Sequence, residues 1–80
     1  MKQAEEFKIA NDNNSLRGED ASHIRSEDND ARIRKIAERN GCFVTEIKNT
    51  YYGNMQEAIQ VTFSDDSEAH IREYGIEIIV

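Results

Sequence analysis

Proline is absent from the chain, so no turn can rest on a ring-fixed φ and every reversal falls to Gly, Asn, Asp or Ser. Glycine is scarce as well, four residues standing alone at positions 18, 41, 53 and 75. Isolated glycines build no phosphate-cradling loop, which excludes a nucleotide site of the glycine-rich kind. A single cysteine, Cys42, cannot close an intramolecular disulfide. The stapled framework of small secreted domains is thereby excluded, and a reducing compartment is expected. Long apolar runs are missing too. The opening MKQAEEFKIANDNN lacks the roughly 7 to 15 apolar residues of a secretory signal, and nothing approaches the ~18 of a membrane helix. The expectation is a cytoplasmic protein without a membrane contact.

What is present is mostly charge. Hydrophobic residues make up 38% of the chain against 32% charged, more polar than an ordinary domain, so the core must be small. A chain of 80 residues allows one domain. The net charge of −6 is uneven: −4 over residues 1 to 30, +3 over 31 to 48 and −5 over 49 to 80. Sixteen carboxylates disfavour direct nucleic-acid binding, which works by releasing counterions from a clustered Lys/Arg surface. They favour a basic protein partner.

The clearest local signal is SEDNDARIRKIAERNG, residues 26 to 41. Ser26 is a good N-cap, Glu27, Asp28 and Asp30 suit the positive end of a helix dipole, and Gly41 supplies a left-handed stop after Asn40. Ile33, Ile36 and Ala37 form a buried stripe that Asn40 continues. Upstream, Asn11 to Asp30 offers only Leu16, Ala21 and Ile24 as apolar side chains, so residues 11 to 22 read as a candidate mobile segment. Phe7 and Ile9 alternate about Lys8, the pattern of an edge strand. Residues 1 to 25 are thus read as a polar, partly flexible segment and residues 26 to 80 as the domain.

Between Phe43 and Phe63 two strand-like runs flank Gly53 and Asn54. A two-residue loop there pairs Tyr52 with Met55 and, counting on, sets Val61 against Glu46 and Ile59 against Lys48. Apolar side chains would then oppose charges. Moving the register by one residue puts Phe43, Thr45, Ile47, Asn49 and Tyr51 on the face of Ile59, Val61 and Phe63, and this requires a three- or five-residue loop or a bulge. The tight turn is therefore rejected, and Val44, Glu46, Lys48, Thr50, Tyr52, Ala58, Gln60, Thr62 and Ser64 are assigned to the wet face. In SDDSEAHIREYG, a turn at Asp65 to Ser67 followed by a third strand aligns Ala69 and Ile71 with Val61 and Phe63, and is preferred to a short helix. Ile76, Ile78 and Val80 then share one face of a last strand. The fold class is α+β: one main helix on a small antiparallel sheet, a β-hairpin or meander plus a C-terminal strand, with an N-terminal edge strand preferred for residues 6 to 10.

No constellation supports catalysis. His70 near Asp65, Asp66 and Glu68 has no metal-ligand spacing, and Cys42 has neither an orienting partner nor an oxyanion turn. No enzyme activity, cofactor or metal is expected, and Cys42 is read as a small apolar filler. The functional expectation is a protein-interaction module in which Glu57, Asp65, Asp66, Glu68 and Glu73 face a basic partner and Tyr52, Asn54 and Met55 add a contact loop. A small, acidic, cysteine-poor chain of this kind suits a phage or mobile-element inhibitor that mimics nucleic acid in a binding groove. The alternative is a small RNA-binding or regulatory domain using Arg32, Lys35 and Arg39, spaced i, i+3, i+7 along one helix face.

Overall fold

The structure, a computed structural model, describes residues 1–14, 26–72 and 75–79, without the side chains of residues 12–14, 52, 56 and 57. Two helices, α1 (Gln3–Asn14) and α2 (Glu27–Arg39), precede four strands, β1 (Val44–Tyr52), β2 (Met55–Phe63), β3 (Glu68–Arg72) and β4 (Gly75–Ile79). The strands form one antiparallel meander in the order β1-β2-β3-β4. Both helices cover the same face, α2 over β1 and α1 against β2, β3, β4 and α2. The expected α+β architecture is the one observed.

The main helix follows its sequence signals. Ser26 Oγ accepts from the Asn29 amide at 3.1 Å, and Ile33, Ile36 and Ala37 are buried. At the other end Gly41 lies at φ 70°, the Gly41 amide donates to the Glu38 carbonyl and the Cys42 amide to the Ala37 carbonyl. These two bonds are a Schellman closure, and they satisfy two carbonyls that the helix leaves open. One detail is corrected: Asn40 is exposed and does not extend the buried stripe, because its side chain turns back to donate to the Ile36 carbonyl at 2.7 Å. Cys42 is buried in the core as the filler it was read to be.

The segment expected to be an edge strand is instead helix α1. Its buried side is Ala4, Phe7 and Ala10, followed by Asn11, while Ile9 is exposed. The alternation of Phe7 and Ile9 therefore had no bearing on which side chains share a face. Phe7 stacks against Phe63 with ring centroids 5.4 Å apart, so the helix is held by one aromatic contact and small side chains fitted close to the sheet. The remainder of the stretch read as mobile, from residue 15 onward, lies outside the described residues.

No local residue caps α1. The cap comes from the β2–β3 turn: Asp65 Oδ2 accepts from the Gln3 amide at 2.8 Å and Ser67 Oγ from the Ala4 amide at 3.0 Å. Asp65 Oδ1 in turn accepts from the Ser67 amide and hydroxyl. The Gln3 side chain completes the junction, donating to Ser64 Oγ and accepting from the Phe43 amide, and the Gln3 backbone carbonyl accepts from Cys42 Sγ. Start of α1, end of α2 and the β2–β3 turn are thus tied at one residue. Anion and hydroxyl at a helix start satisfy two of its four open amides and meet the positive end of its dipole.

The hairpin corrects the rejection of a two-residue tip. Tyr52 pairs with Met55 across Gly53 and Asn54, with Gly53 at φ 62° in the first central position, as a type II′ turn requires. The register then changes: Tyr51 pairs with Gln56 but Thr50 with Ala58, so Glu57 is an extra residue in β2. Beyond this bulge Asn49 faces Ile59 and Ile47 faces Val61, the alignment that the apolar pattern demands. A second bulge at Thr45, whose hydroxyl donates to the Thr62 carbonyl, sets Val44 against Phe63. That flip overturns two assignments: Val44 packs on the core, and Phe43 is 68% exposed. Tyr51 is also exposed, although its hydroxyl accepts from Asn49 Nδ2 on the helix-side face, because the apolar core reaches only as far as Ile47. Ala69 and Ile71 meet Val61 and Ile59 as expected, and Ile76 and Ile78 join them.

The cap makes stability acid-sensitive. The Gln3 amide first, then the Ser67 hydroxyl, pull the Asp65 carboxyl from its ordinary 3.8 to about 2. A depressed folded value gives stabilisation that is complete above the unfolded value and is lost as pH falls from about 4 through about 2. Urea midpoints measured from pH 7 to pH 2 should therefore show an acid-side decline in the native chain that Asp65→Asn reduces; equal declines would remove Asp65 from this role. Asn11 yields a second prediction. It is fully buried, yet among the described residues neither its Oδ1 nor its Nδ2 has a hydrogen-bond partner. An unpaired buried amide costs roughly 1–3 kcal/mol, so Asn11→Leu should raise the free energy of unfolding by about that amount, read from urea titration.

Candidate functional site

The helices cover one face of the sheet, and no described element covers the other. Alternation along the strands fills that outer face with Glu46, Lys48 and Thr50 from β1, Gln60 and Thr62 from β2, Glu68, His70 and Arg72 from β3, and Glu77 and Ile79 from β4. Ala58 lies on the same side, fully buried between the flanking strands.

The charges on this face pair within it. Lys48 Nζ stands 3.6 Å from Glu46 Oε1, Arg72 Nε 2.9 Å from Glu77 Oε2, and His70 Nε2 3.7 Å from Glu68 Oε2. Lys48 and Glu46 are both more than half exposed, and such a pair contributes at most about 1 kcal/mol. Arg72 is held more firmly, its side chain 17% exposed. His70 occupies the centre, with Gln60 opposite on β2 and Glu77 opposite on β4. Neither of its ring nitrogens makes a hydrogen bond among the described residues, although both are out of contact with water.

The acidic residues expected to face a partner are dispersed. Asp65 is committed to the α1 cap, with both oxygens occupied. Glu68 is half-buried beside His70 on the outer face. Asp66 is exposed at the turn that leads into β3, at φ 68°, the left-handed region that L-residues other than Asn and Asp seldom enter. The side chain of Glu57 and the whole of Glu73 lie outside the described residues. In the contact loop Asn54 and Met55 are exposed, and the Tyr52 side chain lies outside the described residues. The ring found exposed near the tip is that of Tyr51, which the sequence pattern had placed in the core.

Arg32, Lys35 and Arg39 are all exposed on α2, on the side of the molecule opposite the outer sheet face. Below the same helix an open groove of about 330 Å³ runs between Arg34 and Glu38 on α2 and Gly41 to Val44. Phe43 sits on its rim. No periodicity pointed to this groove, because it exists only through the bulge at Thr45 that turns Phe43 outward.

Among the described residues no three His, Cys, Asp or Glu side chains are grouped to hold a metal ion. Burial, with Glu6 and Asp65 adding like charge, pushes the Cys42 thiol up, away from the thiolate form that would make it a nucleophile. No described helix is long and apolar enough to cross a membrane. No protein-family model matches the chain, and no curated protein or solved structure matches it either.

The turn supplies a test that separates fold from surface. Asp66→Gly relieves the left-handed backbone and should raise stability by up to about 1 kcal/mol, seen as a higher urea midpoint. A lowered midpoint would mean that the Asp66 carboxylate has a structural bond like that of Asp65.

Proposed function

We propose that the protein is a non-catalytic interaction module that docks on a basic protein through the outer face of its sheet and the adjoining Asp66 turn. The observation that supports this reading is a whole sheet face that no described element covers, carrying fixed polar and charged side chains instead of an apolar core. Lys48 and Arg72 each have a carboxylate within 4 Å, so the cations of this face are already balanced. Glu68, Asp66 and the overall charge of −6 then set the sign that an approaching partner meets. Inhibition by occupying the nucleic-acid groove of a basic protein, as a phage or mobile-element product would do, is the specific form of this reading. Asp65 has no part in it, because its carboxylate is already bonded.

A second reading has one observation in its favour, the position of Arg32, Lys35 and Arg39, all exposed, along one side of α2. Such a stripe can lie on phosphates, and its binding would weaken in proportion to the contacts made as salt rises.

One experiment distinguishes the two. The chain is titrated against a basic nucleic-acid-binding protein and, separately, against mixed RNA at low salt. The first reading expects binding to the basic protein, competition by DNA, and at least a tenfold loss with Asp66→Asn plus Glu68→Gln at an unchanged thermal midpoint, since Asn tolerates the left-handed turn as Asp does. Binding that is indifferent to these neutralisations counts against it. RNA retention abolished by Arg32→Ala, Lys35→Ala and Arg39→Ala would establish the second.

A further inference from the structure

β1 is an outer strand of the sheet, nine residues long, and among the described residues no further strand pairs with its free side. Such an edge presents a row of main-chain donors and acceptors to any extended chain. Two features of β1 resemble the devices that blunt an edge, the bulge at Thr45 and the charge of Lys48. Lys48, however, does not stand alone. Glu46 lies two residues away on the same face, 3.6 Å from it, and both side chains are more than half exposed. A strand with adjacent opposite charges on one face repels most sequences but complements its own antiparallel copy.

We infer that β1 is a self-pairing edge: two copies of the chain join antiparallel across a two-fold axis at Ile47, with Glu46 opposite the partner's Lys48. The same axis sets Lys48 opposite the partner's Glu46, so that four charges alternate around the centre. Ile47 meets its own counterpart on the helix side. Charge selects this register over its neighbours. Centring the pair on Lys48 opposes two like charges, and centring it on Asn49 sets Lys48 against Thr50 and leaves both ions without a facing partner. The two-fold also brings the Phe43 end of one strand beside the Tyr51 end of the other. These are two of the large apolar side chains that the single chain leaves exposed, at 68% and 59%. The resulting sheet has a continuous outer face of twice the width, which the contact at the edge leaves free for another partner.

The test is sedimentation of the full chain over a concentration series at about 0.15 M salt, where a screening length of about 8 Å removes most long-range repulsion between two acidic chains. The native chain is expected to form a dimer. Glu46→Lys alone and Lys48→Glu alone each place like charges across the axis, and each should weaken the dimer at least tenfold. An equimolar mixture of these two variants should recover it as a heterodimer, since a strand with two cations then faces a strand with two carboxylates. Within each chain the like charges persist in the mixture, so recovery cannot come from repair of the monomer. Circular dichroism melts check that both exposed-site variants fold, and the neutral Lys48→Gln serves in place of a reversal that does not. A native chain that stays monomeric at millimolar concentration overturns the proposal, as does a dimer indifferent to the reversals or a mixture that fails to recover.

Discussion

The N-terminal helix is held to the rest of the molecule by a cap that is not its own. Asp65 and Ser67 accept from the first amides of α1, and Gln3 bonds with Ser64, Phe43 and Cys42, so one turn fixes where α1 begins and where α2 ends relative to the sheet. The apolar side of α1 is too modest to set that position alone: one phenylalanine and two alanines, followed by an asparagine buried without a partner among the described residues. Burial of Phe7 contributes about 1.5–3 kcal/mol, and the unpaired Asn11 amide offsets much of it. Removing the polar junction would leave a helix with little reason to stay.

This also explains what could be read from the residues. α2 carries its own instructions, a serine cap, acidic first turn, apolar stripe and terminal glycine within 16 residues, and they specify its bounds almost without error. α1 carries fewer: an acidic first turn in Glu5 and Glu6 and a thin stripe of Ala4, Phe7 and Ala10. Its cap lies 62 and 63 residues away in the chain, and without a local cap the alternation of Phe7 and Ile9 was the misleading choice. The strands fall between these cases. Alternation in Ile59, Val61 and Phe63 and in Ala69 and Ile71 identified the core-facing side correctly, because one buried face forces a period of two. What alternation cannot locate is the residue at which the period breaks. The hairpin demanded both a tight turn and a shifted register, and the chain satisfies both by placing an extra residue at Glu57. Thr45 does the same at the other end, which is why Val44 and Phe43 exchange places.

The surface was less legible than the fold for a related reason. Charge along the sequence suggested one acidic cluster after Phe63, yet neighbouring carboxylates there serve different ends: Asp65 turns in to the helix, Asp66 turns out, and Glu68 lies flat beside His70. Composition counts all three alike. The outer sheet face is assembled from four strands separated in the chain; its cross-strand pair of Arg72 with Glu77 depends on register, while Lys48 with Glu46 lies along β1 and depends on rotamer alone. The basic stripe of α2 needed only helical periodicity, and it lies where that periodicity put it.

The distant cap has a consequence for the order of events on the ribosome. α1 is made before the sheet, but the residues that hold its start are synthesised 62 positions later, roughly 3–12 s afterwards at about 5–20 residues per second. Through that interval Ala4, Phe7 and Ala10 have no sheet to rest on, and nothing nearby tethers them. The nascent chain thus fastens α1 only after β2 and the turn that follows it have been made, so the helix docks with the sheet and not ahead of it.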